Sequence, residues 1–193
     1  MKKITAVLIA LVMLLTASAF AQEAEWVELD LTDLTVTVPE DVIGYIADSF
    51  EPDVPIATFY EDYIQNHVFN KNISIAYTNQ CLDIHGATPS ELAGYIVEGA
   101  AEQLEVMGIK AEEPVIIDAD LDEQDGREAL FVSYYTYVDY SGLGYNEAFN
   151  MVTIQMVVPF DEYGITYMVT ISTDNPEESE MLFRIADSIK WNI

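Results

Sequence analysis

The longest regular pattern in the chain is a two-residue alternation of apolar and polar side chains in its C-terminal half. Val152, Ile154, Met156 and Val158 share one parity, and Ile165, Tyr167, Val169 and Ile171 repeat it after Asp161-Glu162-Tyr163-Gly164. A strand turns successive side chains to opposite faces, so the spacing predicts strands over 147–160 and 165–173. Residues 127–140 form a third long run, joined to the second through Ser141-Gly142-Leu143-Gly144. Short Gly- and Asp-bearing connections between such runs predict hairpins, hence an antiparallel meander. Thr153, Gln155, Thr166, Thr170 and Ser172 fall on the other parity, which reads as a face open to water. Upstream, 26–31 and 34–38 alternate as well, with Thr32-Asp33 between them and Pro39 as a stop. Residues 72–78 read as a further strand, 115–117 as a short apolar one, and 118–126 as a turn.

A helical period appears twice. Thr88, Pro89 and Glu91 make an N-cap, a first helical position and a capping box. Leu92, Tyr95, Ile96, Gly99, Ala100, Gln103, Leu104 and Met107 then recur at spacings of three and four, a face expected to meet a core, and Gly108 ends the helix. The second helix opens with Asn175 and Pro176. It carries Glu177, Glu178 and Glu180 near its positive end and the stripe Leu182, Ile185, Ala186 and Ile189. Between Glu40 and Lys71 the pattern is weaker: 41–47 reads as one or two helical turns and 58–68 as a short helix. The expected fold is α+β, an antiparallel meander with two main amphipathic helices laid on its apolar face.

The first 21 residues follow a different logic. Lys2 and Lys3 precede an apolar run from Ile4 to Leu15, and Ala19-Phe20-Ala21 offers small residues where a signal peptidase reads. The run is shorter than the roughly 20 residues that cross a bilayer, and no cysteine lies near the cleavage point to take a lipid. Residues 1–21 are therefore expected to be a cleaved secretory signal, and 22–193 a single domain outside the cytoplasm with no membrane span.

Charge then limits the partners. The chain has 34 Asp and Glu against 7 Lys and Arg, a formal net charge of −27, and the signal removes only basic residues. Nucleic-acid binding needs clustered cations to neutralise phosphates, so this composition excludes it. A single cysteine excludes an intrachain disulfide framework and multi-cysteine metal cages. Cys81 is expected to be a buried filler, as free cysteines commonly are.

Several short segments occur in a recognisable order. They are Val38-Pro39-Glu40-Asp41 after the opening strand, Ser90-Glu91-Leu92 at a helix start, and Asp125-Gly126-Arg127-Glu128-Ala129 before a Tyr-rich strand. Tyr163-Gly164 in a hairpin and Phe183 to Lys190 (FRIADSIK) complete the set. In this order they resemble the PsbP-like superfamily, which includes exported bacterial domains. The resemblance implies an α/β sandwich and an accessory or binding role in place of catalysis.

Three groups carry candidate chemistry. Asp118, Asp120, Asp122 and Asp125, with Glu123, are the densest carboxylate cluster, and several oxygens from one loop suit calcium. The EF-hand pattern is not met, because Glu123 stands where its glycine belongs and Ala129 where its final glutamate belongs. Cys81, Asp83 and His85 suggest a thiol–imidazole pair or half a metal site, with His67 the one other histidine. Tyr134, Tyr135, Tyr137, Tyr140 and Tyr145 form an aromatic group whose apolar bodies and polar tips suit a partner surface. The leading expectation is an exported, non-enzymatic accessory or binding protein for a protein or cell-envelope partner, without a cofactor. A calcium- or cation-binding secreted module is the second reading, and a secreted hydrolase using scattered carboxylates the third.

Overall fold

The computed structural model describes residues 26–40, 43–46, 51–53, 57–61, 71–175, 177 and 179–193. Residues 1–21, expected to be a secretory signal, and His67 and Pro176 lie outside the described residues. The alternating runs form the strands they predict: β1 (Trp26–Asp30), β2 (Leu34–Pro39), β5 (Lys71–Thr78), β8 (Arg127–Asp139), β9 (Ala148–Phe160) and β10 (Ile165–Thr173). Three shorter strands come between, β3 (Ile43–Ile46), β4 (Ala57–Glu61) and β6 (Lys110–Ala111). The helical turns expected at 41–47 and the first residues of the helix expected at 58–68 are thus corrected to β3 and β4, which pair antiparallel with each other. Residues 62–68 of that helix lie outside the described set.

β7 (Val115–Gln124) overturns the turn expected at 118–126. The turn is only Asp125-Gly126, both at positive φ (50° and 79°), as a two-residue type I′ hairpin requires. Along β7, Ala119 and Leu121 point inward while Asp118, Asp120 and Asp122 take the exposed parity. The acids disguised an amphipathic edge strand.

The large sheet runs β3-β4-β5-β10-β9-β8-β6, with β7 pairing β8 beyond the end of β6. A smaller sheet, β1-β2-β11 with β11 at Lys190–Trp191, lies across one face. There Leu34, Val36 and Val38 meet Ile154, Met156, Val158, Val169 and Ile171 in the main core. α2 (Ser179–Asp187) closes the same core with Leu182, Ile185 and Ala186, joined by Ile189 just beyond it. Asn175 Oδ1 accepts the N–H of Glu177 ahead of it (3.2 Å).

α1 (Pro89–Val106) covers the opposite face. The helices therefore lie on two sides of the sheet, not together on one. The face read as open to water is also largely closed: Leu130, Val132, Tyr134 and Val157 pack with Ala93 and Val97 of α1, and Thr153, Thr166 and Ser172 are buried. Thr153 and Ser172 tolerate this because their hydroxyls bond each other at 3.0 Å. Turning the helix to present Ala93 and Val97 leaves Tyr95, Gly99, Gln103 and Met107 exposed, a rotation of the face expected from spacing.

The ends of α1 follow from its sequence. Glu91 N–H donates to Thr88 Oγ1 (3.3 Å) and Thr88 N–H donates to Glu91 Oε2 (3.0 Å), the reciprocal capping box. At the other end Gly108 takes φ +84°, its N–H donates to Glu105 O, and Ile109 N–H donates to Leu104 O. That pair of bonds is a Schellman stop, with Leu104 and Ile109 in apolar contact across it. Among the described residues no helix is long and apolar enough to cross a membrane.

The stop leans on the turn Tyr140–Leu143: a methyl group added at Gly142 would collide with Gly108 O. Gly142→Ala should cost about 1–3 kcal/mol in urea unfolding, as forced overpacking does. Gly99→Ala, where nothing lies within 4 Å of the new carbon, should instead stabilise α1 by about 0.5–1 kcal/mol. Equal effects of the two would refute the contact.

Candidate functional site

Strand parity divides the tyrosine group. Tyr134 points toward α1, is buried, and its hydroxyl bonds Thr153. Tyr140 is also interior, stacked on Phe149 with centroids 5.8 Å apart. Neither belongs to an outer surface. Tyr135 and Tyr137 face the other way and remain 42% and 36% exposed, and Tyr145 is half-buried. Tyr135 is in register with Val115 on β7 and Val152 on β9. Val115 is 45% exposed, and Ile117, at the register shift beside it, 58%. The five tyrosines thus yield one outward strip, Val115-Ile117-Tyr135-Tyr137, that includes two apolar residues the sequence reading had assigned only to a strand.

The thiol lies elsewhere. Cys81 is exposed, not buried, because it stands in the connection between β5 and α1. With Asp83, His85, Arg127, Glu128, Asp161 and Glu162 it lines a cleft of about 420 Å³. The sequence trio does share this cleft, but the contacts run to other partners. Cys81 Sγ donates to Asp161 Oδ1 (2.7 Å), and His85 Nε2 lies 3.1 Å from Glu128 Oε2. The hydrogen bond to Asp161 pushes the thiol above its ordinary value, helped by slight burial and by the charges of Asp161 and Glu162. A thiol held protonated is a weak nucleophile at neutral pH. Arg127 is structural: its guanidinium sits 3.9 Å from the centre of the Phe160 ring, bonds Glu162 Oε1 (2.7 Å), and holds that carboxyl below the usual range.

The carboxylate cluster is dispersed by its own strand. Asp118, Asp120 and Asp122 follow one another at alternate positions of β7, spread over about 13 Å at a strand's rise per residue. Calcium ligands sit about 2.3–2.6 Å from the ion, so the three do not converge. Asp118 and Asp122 each accept the N–H of the following residue, and Asp125 Oδ2 accepts the N–H of Trp191 (2.8 Å), pinning β11. Among the described residues no three His, Cys, Asp or Glu side chains gather to hold a metal ion.

A second cleft, of about 350 Å³, opens between the C-terminal half of α1 and the sheet. The buried Tyr134, Tyr140, Ile109 and Met151 line it, with Leu104 and Met107 on the helix side. Sequence reasoning missed it, since its walls come from segments up to about a hundred residues apart.

Two measurements follow. Asp161→Asn should lower the Cys81 thiol toward its ordinary value and speed iodoacetamide alkylation at pH 8 severalfold; an unchanged rate would show that the bond does not govern the thiol. Burial pushes Tyr134 up to about 12 from 10.0. A group raised in the folded state keeps its stabilising contribution below the unfolded value and loses it above. Stability should therefore fall between pH 10 and 12, by about 1.4 kcal/mol per pH unit from this group, and the slope should flatten in Tyr134→Phe.

No family model and no curated protein sequence matches the chain. Solved structures do. The cyanobacterial PsbP (CyanoP) of Synechocystis sp. PCC 6803 superposes with a TM-score of 0.59 at 13% identity, over 86% of this chain and 91% of that one. The Ran-binding protein Mog1p of Saccharomyces cerevisiae superposes with a TM-score of 0.52, also at 13% identity, over 88% of this chain and 96% of that one. The curled antiparallel sheet, with a helix on each face and a small sheet beside α2, is the PsbP-like α+β fold.

Proposed function

We propose that this protein is an exported, non-enzymatic accessory or binding protein, directed outward by residues 1–21, and that it engages a protein or cell-envelope partner through the strip Val115-Ile117-Tyr135-Tyr137. The observation that carries the reading is the exposure of these four side chains together at one edge of the large sheet. Tyrosine buries a large area on contact while its phenol keeps a polar tip, and it is enriched in interface cores; Val115 and Ile117 add exposed apolar area beside it. Mog1p, of the same fold, is a Ran-binding protein, so this scaffold can present a surface to another protein. The chemistry of the Cys81 cleft supports the non-enzymatic side, because the hydrogen bond to Asp161 opposes formation of the thiolate.

Capture from extracellular and envelope extracts with immobilised wild type and with the Tyr135→Ala, Tyr137→Ala double variant tests the surface. The expected outcome is a protein retained by the wild type and reduced tenfold or more with the variant. Identical captured sets would remove the strip from the reading. Peptide, ester or glycan hydrolysis that disappears in Cys81→Ala or Glu128→Gln would replace a binding role with an enzymatic one.

A further inference from the structure

The cleft under α1 is built differently from the rest of the molecule. Register sets its floor. Tyr134, Thr153, Ser172 and Asn72 stand side by side across β8, β9, β10 and β5, and Val132, Gln155, Thr170 and Ser74 form the next row. The row beyond, Leu130, Val157, Met168 and Ala76, is apolar. Two adjacent polar rows therefore lie beneath a helix that shows them Ala100, Leu104 and Met107, with the exposed Gln103 at the rim. That helix supplies no partners from those three side chains. Thr153 and Ser172 satisfy each other, and Tyr134 bonds Thr153, but Asn72, Ser74 and Thr170 open into the cleft. Beside Thr170, the buried Gln155 Oε1 has no partner among the described residues. Buried polar groups are ordinarily hydrogen-bonded, so the floor carries more bonding capacity than the protein uses.

The described lining is also uncharged. In a chain of net charge −27, none of the described side chains bordering this cleft is Asp, Glu, Lys or Arg. An ion entering it would lose water without gaining a counter-charge, and the surrounding field repels anions in particular. The volume of about 350 Å³ falls at the lower end of the range for small-molecule sites, which combine apolar walls with a few placed polar groups.

We infer that the cleft between α1 and the β5–β10–β9 floor is a binding site for an uncharged small molecule, with an apolar body against Leu104, Met107 and Met151 and a hydrogen-bonding edge toward Asn72, Ser74 and Thr170. This site is on the face of the sheet opposite Tyr135 and Tyr137, so it stands or falls apart from the proposed partner surface.

The test uses the full chain, isotopically labelled, titrated with N-phenyl-1-naphthylamine and separately with its anionic relative 8-anilinonaphthalene-1-sulfonate. The neutral probe should saturate at one site, shift the amide resonances of Ser74, Ala100, Leu104 and Thr170, and bind at least tenfold more tightly than the sulfonate. Gln103→Trp, at an exposed helical position on the rim, should weaken the neutral probe tenfold or more with an unchanged melting temperature. Shifts centred on Val115 and Tyr135, or equal binding of both probes, would overturn the assignment. So would the absence of saturable binding, which would mean that water alone occupies the cleft. The resonance map reads the unaltered protein and holds whether or not the variant folds.

Discussion

From Met151 to Phe160 the side chains of β9 point alternately to the layer made by α2 and the small sheet and to the side of α1, and none of them is exposed. Val158 and Phe160 enter the first layer, Val157 and Thr153 the second, and all four are buried. A sheet with two interiors needs two coverings, and the arrangement of the remaining elements follows from that need. The small sheet is brought over by the end of the chain. Gln124 Nε2 donates to Ile189 O (2.9 Å), Asp125 accepts from Trp191, and Asn192 N–H donates to Asp33 O (2.8 Å). The hairpin between β7 and β8 thus holds β11, and β11 holds β2 against the core. On the other side, α1 is fixed at its start by Thr88 and Glu91 and at its finish by the contact of Gly108 with the turn after β8.

Where a local pattern had one physical cause, the sequence conveyed it. The parity of Val152 to Val158 and of Ile165 to Ile171 made the meander visible, because from Ile154 onward those residues meet one core. The Thr88–Glu91 box and Gly108 marked the ends of α1, because capping bonds are local. Where polar residues served the interior, the pattern misled. Thr153 and Ser172 read as wet although each buries the other's hydroxyl, and pairing across two strands leaves no trace in the spacing of either. Asp118, Asp120 and Asp122 read as a turn because their charge masked the alternation of Ala119 and Leu121. The segment 43–46 is too short for period to separate a strand from a helical turn, and its β identity comes from pairing with β4.

The candidate sites divide in the same way. The sequence put five tyrosines in one group, and strand parity alone separates Tyr135 and Tyr137 from Tyr134; the interior place of Tyr140 depends on its stacking with Phe149. Cys81 and His85, close in sequence, line one cleft without pairing as a thiol and imidazole. Their real partners, Asp161 and Glu128, lie on other hairpins and were beyond the reach of spacing. The α1 cleft was least legible, being a gap between a helix and two rows of the sheet defined by register.

The carboxylates of β7 have a consequence for how copies of the molecule meet. β7 is an outer strand, and an outer strand is the natural template on which another chain can add. Two molecules aligning along this border would bring rows of like charge together, while Ile117 sits at an irregularity that breaks the flat run of backbone donors and acceptors. Stacking into ribbons is thereby disfavoured by the same acids that looked, along the sequence, like a place for a cation.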